Sequence, residues 1–384
     1  MPALEPGDLA KWPDTGNNKA GGPGRGPERH PMRIGIMLRH IGEAGGIVTF
    51  SRNLVSGLAR VAKNDQLVLL YQNPEHRGMF GQSPNIEEHV LATRGKLLWD
   101  QWAVPIAAER LGLDLVYNPK LSVPLICPAP SVLALRPEQF VHPELFRPAD
   151  RRYFRFFMPR YCKAASAIIA PTEQAVKDIV QYVGADPAKT LAVHEGAGEH
   201  FFQSQPTPEA LRAVREKYQL PERYVLFVGG ITPLKNFERL VEAFGQVQEE
   251  HRVKLVVVGF NRWKFEKDLA FAAKHPAAAH IHFTGFVEDA DMPLVYRLAR
   301  LLFFPSIYEG FGIPAAEAQV VGCPVVTTNR GCTPEVAGEA AVLVDPFDVA
   351  DMAEGLKRVL SDEGLRQELI AKAEAGVQDA KLSA

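Results

Sequence analysis

Between Phe304 and Gly322 the chain reads FPSIYEGFGIPAAEAQVVG, a segment whose residue types and spacing suit a phosphorylated ligand. An apolar run ends at Pro305, a loop follows with Glu309, Gly310, Phe311, Gly312 and Ile313, and Pro314 suits the first turn of a helix. Glycines let backbone approach a ligand closely, and a helix start offers unpaired N–H groups and a partial positive charge to a diphosphate. Glu317 stands eight residues after Glu309, a spacing that predicts the first helical turn for Glu317 and the loop for Glu309, both beside the same phosphates. Carboxylates accept hydrogen bonds from sugar hydroxyls in bidentate fashion, which suits a ribose and a transferred hexose. Alternatively, Glu317 merely complements the helix dipole and Glu309 is solvated. The residues alone leave the two readings open.

Two further segments carry weaker signals. Gly42, Gly45 and Gly46 lie between the apolar run Arg33–Leu38 and a helical stretch, Ile47–Val61, a strand-to-helix turn that serves either a ligand or tight packing. In residues 147–163, Tyr153, Phe156, Phe157 and Tyr161 share one helical face while Arg151, Arg152 and Arg155 spread over the other. Such a helix can lie on an anionic membrane; the alternative buries the aromatics in the domain and leaves the arginines in water. Cys127, Cys162, Cys323 and Cys332 have no paired spacing and no histidine at metal-ligand distance, so reduced thiols and no metal site are expected.

The elements that must position these residues alternate. Short apolar runs rich in β-branched residues are separated by amphipathic stretches, the pattern of a parallel sheet with crossover helices. Strands are expected at Arg33–Leu38, Leu67–Tyr71, Asp114–Tyr117, Ser131–Leu135, Ala167–Ala170 and Thr190–Val193, then again at Tyr224–Val228, Lys254–Val258, His282–Thr284, Leu301–Phe304, Pro324–Thr327 and Ala341–Val344. The fold class is therefore α/β, with two doubly wound domains at 32–203 and 222–384 joined by a linker at 204–221, which carries a short helix to Tyr218. Open α/β sheets bind ligands beyond the carboxyl ends of their strands, so the cleft between the domains is the expected site. Residues 1–31 contain six glycines and six prolines with little apolar surface and are expected to form a disordered tail, leaving Met32 as a candidate start. A net charge of −2, 46% apolar and 23% charged residues fit a cytoplasmic globular protein with no field to attract nucleic acid. No run reaches the roughly 20 apolar residues needed to span a bilayer.

The segment containing Glu309 and Glu317 resembles the E-x7-E motif of the retaining glycosyltransferases of family 4, and the likeness extends across Tyr224–Ile370 through YVLFVGGITPLKN, VVVGFNRWKFE, HFTGFVEDADMPLVYRLARLLFFPS and GCPVVTTNRGCTPEVAGEAAVLVDP. The resemblance implies the GT-B architecture, with two Rossmann-like domains facing each other across a cleft. It also implies a nucleotide-diphosphate sugar donor, retention of anomeric configuration, and neither a cofactor nor an obligatory metal. Under it Glu317 binds the ribose, Glu309 faces the donor sugar, and the backbone of Gly310–Ile313 holds the diphosphate. Gly230, Phe286 and Val287 line the donor site, the last two near the base. Lys235, which alone reads as an ordinary surface lysine, becomes the cation that neutralises the departing diphosphate. Gly45 and Gly46 match the family's glycine loop, which approaches the donor phosphates or the acceptor.

Three departures stand out. Gly230 and Leu234 occupy the customary positions of a second basic residue. Leu135 and Arg136 replace a His-Asp pair, so Arg136 is a substitute source of positive charge, and His40 and His142 are candidates for the cleft or plain surface residues. The sequence ends soon after an expected helix at Glu363–Ala373, where the family usually continues into a helix packed on the N-domain, which predicts a less restrained hinge. The implied function is transfer of a hexose-type sugar to an acceptor hydroxyl in polysaccharide, glycolipid or glycan synthesis. The acceptor would be a saccharide or a lipid-linked one, with peripheral contact at the inner face of the membrane through 147–163. The departures favour an alternative: a noncatalytic nucleotide-sugar-binding or scaffold protein of the same fold.

Overall fold

The computed structural model describes residues 30–43, 45–204, 206–259 and 265–382. The expected tail, except its last two residues, and the FNRWK part of the resemblance lie outside the described residues. The described chain forms two wholly parallel sheets. The first holds β1 (Arg33–Met37), β2 (Gln66–Tyr71), β3 (Ile86–Val90), β4 (Leu115–Asn118), β5 (Ser131–Ala134), β6 (Ala167–Ala170) and β7 (Thr190–Ala192) in the order 3-2-1-4-5-6-7. The second holds β8 (Tyr224–Val228), β9 (Lys254–Val258), β10 (Ile281–Gly285), β11 (Leu301–Phe304), β12 (Val325–Thr328) and β13 (Ala341–Val344) in the order 10-9-8-11-12-13. In both, the winding reverses beside the first strand, between β1 and β4 and between β8 and β11. A crevice opens at such a point because the crossover helices leave on opposite faces.

Apolar strands sandwiched between helices account for the cores. Val225, Leu226 and Phe227 are fully buried, and the helix Phe237–His251 lays Phe237, Leu240, Val241 and Phe244 on the same sheet. Every strand expected from sequence is present within one or two residues. The edge strand β3 was not expected: its IEEHV sequence breaks the apolar run, and its charges are instead paired sideways, Glu87 with Arg33 at 2.8 Å and Glu88 with the Tyr71 hydroxyl at 2.9 Å. The linker segment contains the expected short helix, Pro208–Lys217, and Val214 and Leu220 are buried in the C-terminal core together with Phe201. The last helix runs from Glu363 to Leu382, longer than expected, and contacts helices of the C-terminal domain. No helix among the described residues is long and apolar enough to cross a membrane.

The domains meet along the carboxyl edges of their sheets. Leu234, Tyr308 and Cys332 pack into an apolar cluster with Val123, Leu133, Met158 and Ile179 of the N-terminal domain. The Tyr308 hydroxyl donates to buried Asp178. Glu335 accepts hydrogen bonds from the backbone N–H groups of Glu173 and Gln174 at 2.9 and 3.0 Å, at the start of the helix Glu173–Val183, and also contacts His194 Nε2 at 2.9 Å. An anion at a helix N-terminus satisfies amides the helix cannot and complements its dipole.

Candidate functional site

The switch point of the second sheet assembles the residues singled out after β8 and β11. After β8 the chain passes Gly229, whose φ of 143° is in the range that favours glycine, then Gly230, and makes a short turn, Pro233–Lys235. Asn236, left-handed and buried, donates to the carbonyls of Pro305 at 3.2 Å and Pro346 at 2.6 Å, tying the loops after β8, β11 and β13 together. This brings Lys235 back over the sheet, its ammonium 4.4 Å from the Phe304 ring centroid and 2.6 Å from Glu309 Oε1. The lysine is thus not an ordinary surface residue; it and Glu309 retain only 18% and 14% of their side-chain exposure.

Beyond Glu309 the chain turns through Gly310 and buried Phe311 into Gly312, left-handed at φ 96°, which starts the helix Ile313–Val320. No side chain caps this helix; Pro314 has no N–H and the Ala315 N–H is bonded to the Gly312 carbonyl at 2.9 Å, so the Ile313 amide is the one the helix start offers to an anion. Pro314 lies in the first turn, as expected. Glu317 does not: as the fifth helical residue it belongs to the second turn, because the helix begins only at Ile313. It is buried, accepts a hydrogen bond from the Tyr296 hydroxyl at 2.8 Å, and burial pushes its pKa up to about 7, with Asp289 adding to the rise and Tyr296 opposing it. At the end of β10, Val287 is buried while Phe286 exposes more than half of its surface.

The N-terminal face contributes differently from expectation. Gly45, at φ 113°, starts the helix Gly46–Val61, again without a side-chain cap. Leu135 is fully buried in the core, and Arg136 alone turns toward the cleft, its guanidinium 4.5 Å from the Phe50 ring centroid and paired with buried Glu195. Arg136 therefore contributes no uncompensated charge. His40 is not a surface residue: it is buried, hydrogen bonded to Ser51 at 2.8 Å, and pushed down to a pKa of about 3 by burial and by Lys120, Arg39 and Arg136. His142 packs edge-on against Tyr308 at 5.7 Å, beside a cavity of about 580 Å³ that also involves Asp178, Arg330 and Glu335.

On the outer side, the helix Pro148–Ala164 inserts Tyr153, Phe157 and Tyr161 into the domain, whereas Phe156 is 53% exposed under the Arg160 guanidinium, 3.8 Å from its centroid. Phe156 thus departs from the expected aromatic face, and Arg151, Arg152 and Arg155 of the same helix are all exposed. Sequence reasoning missed Glu138, Glu195, Asn236, Tyr296, His194 and Glu335, all of which gain their contacts from distant elements. Among the described residues no group of three or more His, Cys, Asp or Glu side chains could hold a metal ion.

Comparison with known proteins points the same way. A sequence model described as "Glycosyl transferases group 1" matches residues 212–376. The serotype-specific mannosyltransferase WbdA of Escherichia coli is 30% identical over 240 residues, which are 61% of this chain and 29% of that protein. The O-antigen chain mannosyltransferase B of Escherichia coli is 29% identical over 232 residues, 59% of this chain and 60% of that one. A D-inositol 3-phosphate glycosyltransferase of Kribbella flavida is 30% identical over 285 residues, 71% and 61% of the two chains. The chain thus spans between 29% and 61% of these relatives' lengths. Among solved structures, Anabaena HepE in complex with UDP and glucose superposes with a TM-score of 0.71 at 18% identity, covering 90% of this chain and 94% of that one. WaaG, a glycosyltransferase involved in lipopolysaccharide biosynthesis, gives a TM-score of 0.68 at 18% identity, covering 88% and 94%. The fold is that of the GT-B glycosyltransferases.

Proposed function

We propose that this chain is a retaining, metal-independent glycosyltransferase that moves a hexose from a nucleotide-diphosphate sugar to an acceptor hydroxyl. The observation carrying this reading is the Lys235–Glu309 pair at the switch point, beside the uncapped helix Ile313–Val320 and buried Glu317. Such a site offers amides and an ammonium to a diphosphate and carboxylates to ribose and hexose hydroxyls. The relatives' names make mannose the first sugar to test and a saccharide or lipid-linked saccharide the first acceptor. The exposed Arg151, Arg152, Arg155 and Phe156 support peripheral contact with an anionic membrane, at the inner, cytoplasmic face.

In the reaction the bond from the anomeric carbon to the diphosphate breaks, and its electron pair leaves with the diphosphate. The acceptor oxygen bonds the same carbon from the same face, and a diphosphate oxygen takes its proton. Lys235 stabilises the charge developing on the leaving group; the helix amides and Glu309 hold the reacting groups in place. The noncatalytic alternative shares the donor site, so turnover separates the two. Nucleotide sugars incubated with a mannose-terminated acceptor should release nucleoside diphosphate, and NMR should find the anomeric configuration of the donor kept in the product. Inversion would refute retention; donor binding without turnover across donors and acceptors would favour the noncatalytic reading.

A further inference from the structure

Glu138 opens the short helix Glu138–Val141, two residues beyond Arg136, and faces the Gly310–Gly312 turn of the C-terminal domain. A methyl group added at Gly310 would lie 2.5 Å from Glu138 Oε1, 3.1 Å from its Cδ and 3.3 Å from Arg136 Cβ. The carboxyl of one domain therefore rests on the backbone of the other, one residue past Glu309. Both nearby cations are engaged elsewhere, Lys235 with Glu309 and Arg136 with Glu195. Among the described residues no side chain donates a hydrogen bond to Glu138. Burial pushes its pKa up to about 7, opposed by Arg136 and by a hydrogen bond from its own backbone N–H, with Glu309 and Glu195 adding to the rise. Near neutral pH such a group both donates and accepts hydrogen bonds, and a carboxyl without an ionic partner between two domains is costly unless a ligand meets it.

We propose that Glu138 contacts the transferred sugar from the N-terminal side, exchanging hydrogen bonds with its hydroxyls opposite Glu309 and so helping to select the hexose. This rests on the donor-site reading above. A diphosphate on the amides of 310–313 directs the sugar toward the N-terminal face, where Glu138 packs on Gly310 and makes no ion pair among the described residues. A carboxylate suits hydroxyls and repels phosphate, so its contact belongs to the sugar rather than to the leaving group.

Calorimetric titration of the full chain, Glu138→Ala and Glu138→Gln with nucleoside diphosphates and the matching nucleotide sugars tests the proposal. All three proteins should bind the diphosphate within about twofold of one another, while Glu138→Ala binds the nucleotide sugar roughly tenfold more weakly than the parent. Glu138→Gln, which keeps a donor and an acceptor, should recover most of that loss. Donors lacking one sugar hydroxyl should be discriminated by the parent, and at least one should lose that penalty in Glu138→Ala. Equal weakening of diphosphate and sugar binding, or an unchanged sugar increment, would overturn the proposal. Absence of diphosphate binding by the parent itself would instead overturn the donor-site reading on which the proposal rests.

Discussion

Glu317→Gln should make the protein more stable and a poorer donor binder at once. Glu317 is 7% exposed, and burial pushes its carboxyl from the ordinary 4.5 up to about 7. A carboxyl whose pKa is raised in the folded state contributes stability that is present below its unfolded pKa and lost as pH rises through the folded one. The displacement from 4.5 to about 7 corresponds to roughly 3 kcal/mol lost above pH 7. Glutamine keeps the shape and an acceptor for the Tyr296 hydroxyl but has no charge to desolvate. The stability difference between variant and parent should therefore widen in the variant's favour by roughly 2–3 kcal/mol between pH 5 and pH 8. Urea denaturation at both pH values reads this out, since the other titrating groups are common to both proteins. Calorimetry should meanwhile find the variant's nucleoside diphosphate affinity reduced, because a ribose hydroxyl bonds a carboxylate more strongly than an amide. A difference that stays constant or narrows with pH, or an unchanged affinity, would refute the reasoning.

Lys235→Ala should lower kcat of donor turnover by more than roughly tenfold, the scale for an electrostatic contact made mainly in the transition state; near-native kcat would reduce Lys235 to a partner of Glu309. Glu335→Ala removes the acceptor for two amides of the helix Glu173–Val183 and should destabilise that helix start by about 1 kcal/mol, read as faster hydrogen exchange at residues 173–174; unchanged protection would contradict the interdomain cap. Reversing Arg151, Arg152 and Arg155 to glutamate should abolish cosedimentation with vesicles containing phosphatidylserine, at about 1 kcal/mol lost per removed cation; equal binding by both proteins would refute a membrane face there.

The sheets were legible because parallel strands buried on both faces read as uninterrupted apolar runs, as in Tyr224–Val228 and Lys254–Val258. The edge strand Ile86–Val90 escaped because it has a strand on one side only, and its glutamates are paired with Arg33 of β1 and Tyr71 of β2, which the local sequence does not show. Within the site, Glu309, Gly310, Gly312 and Glu317 could be read together because one loop and one helix start carry them all, although the helix begins too late for Glu317 to join its first turn. Arg136 and Glu195 meet through the winding of the N-terminal domain, and Glu138 and Gly310 through the packing of one domain on the other, neither of which local spacing encodes. The Pro148–Ala164 helix sets a similar limit. Its periodicity allows Phe156 to face inward, but the stripe the domain covers follows Tyr153, Phe157 and Tyr161.

We expect a nucleoside diphosphate to occupy the carboxyl edge of the second sheet, on the amides of 310–313. Isothermal titration of the four common nucleoside diphosphates into the full chain, followed by hydrogen exchange with the tightest binder, tests it most directly. One site per chain is expected, with protection concentrated at residues 229–235 and 309–317. No binding by any of the four, or protection confined to the first sheet, would contradict it.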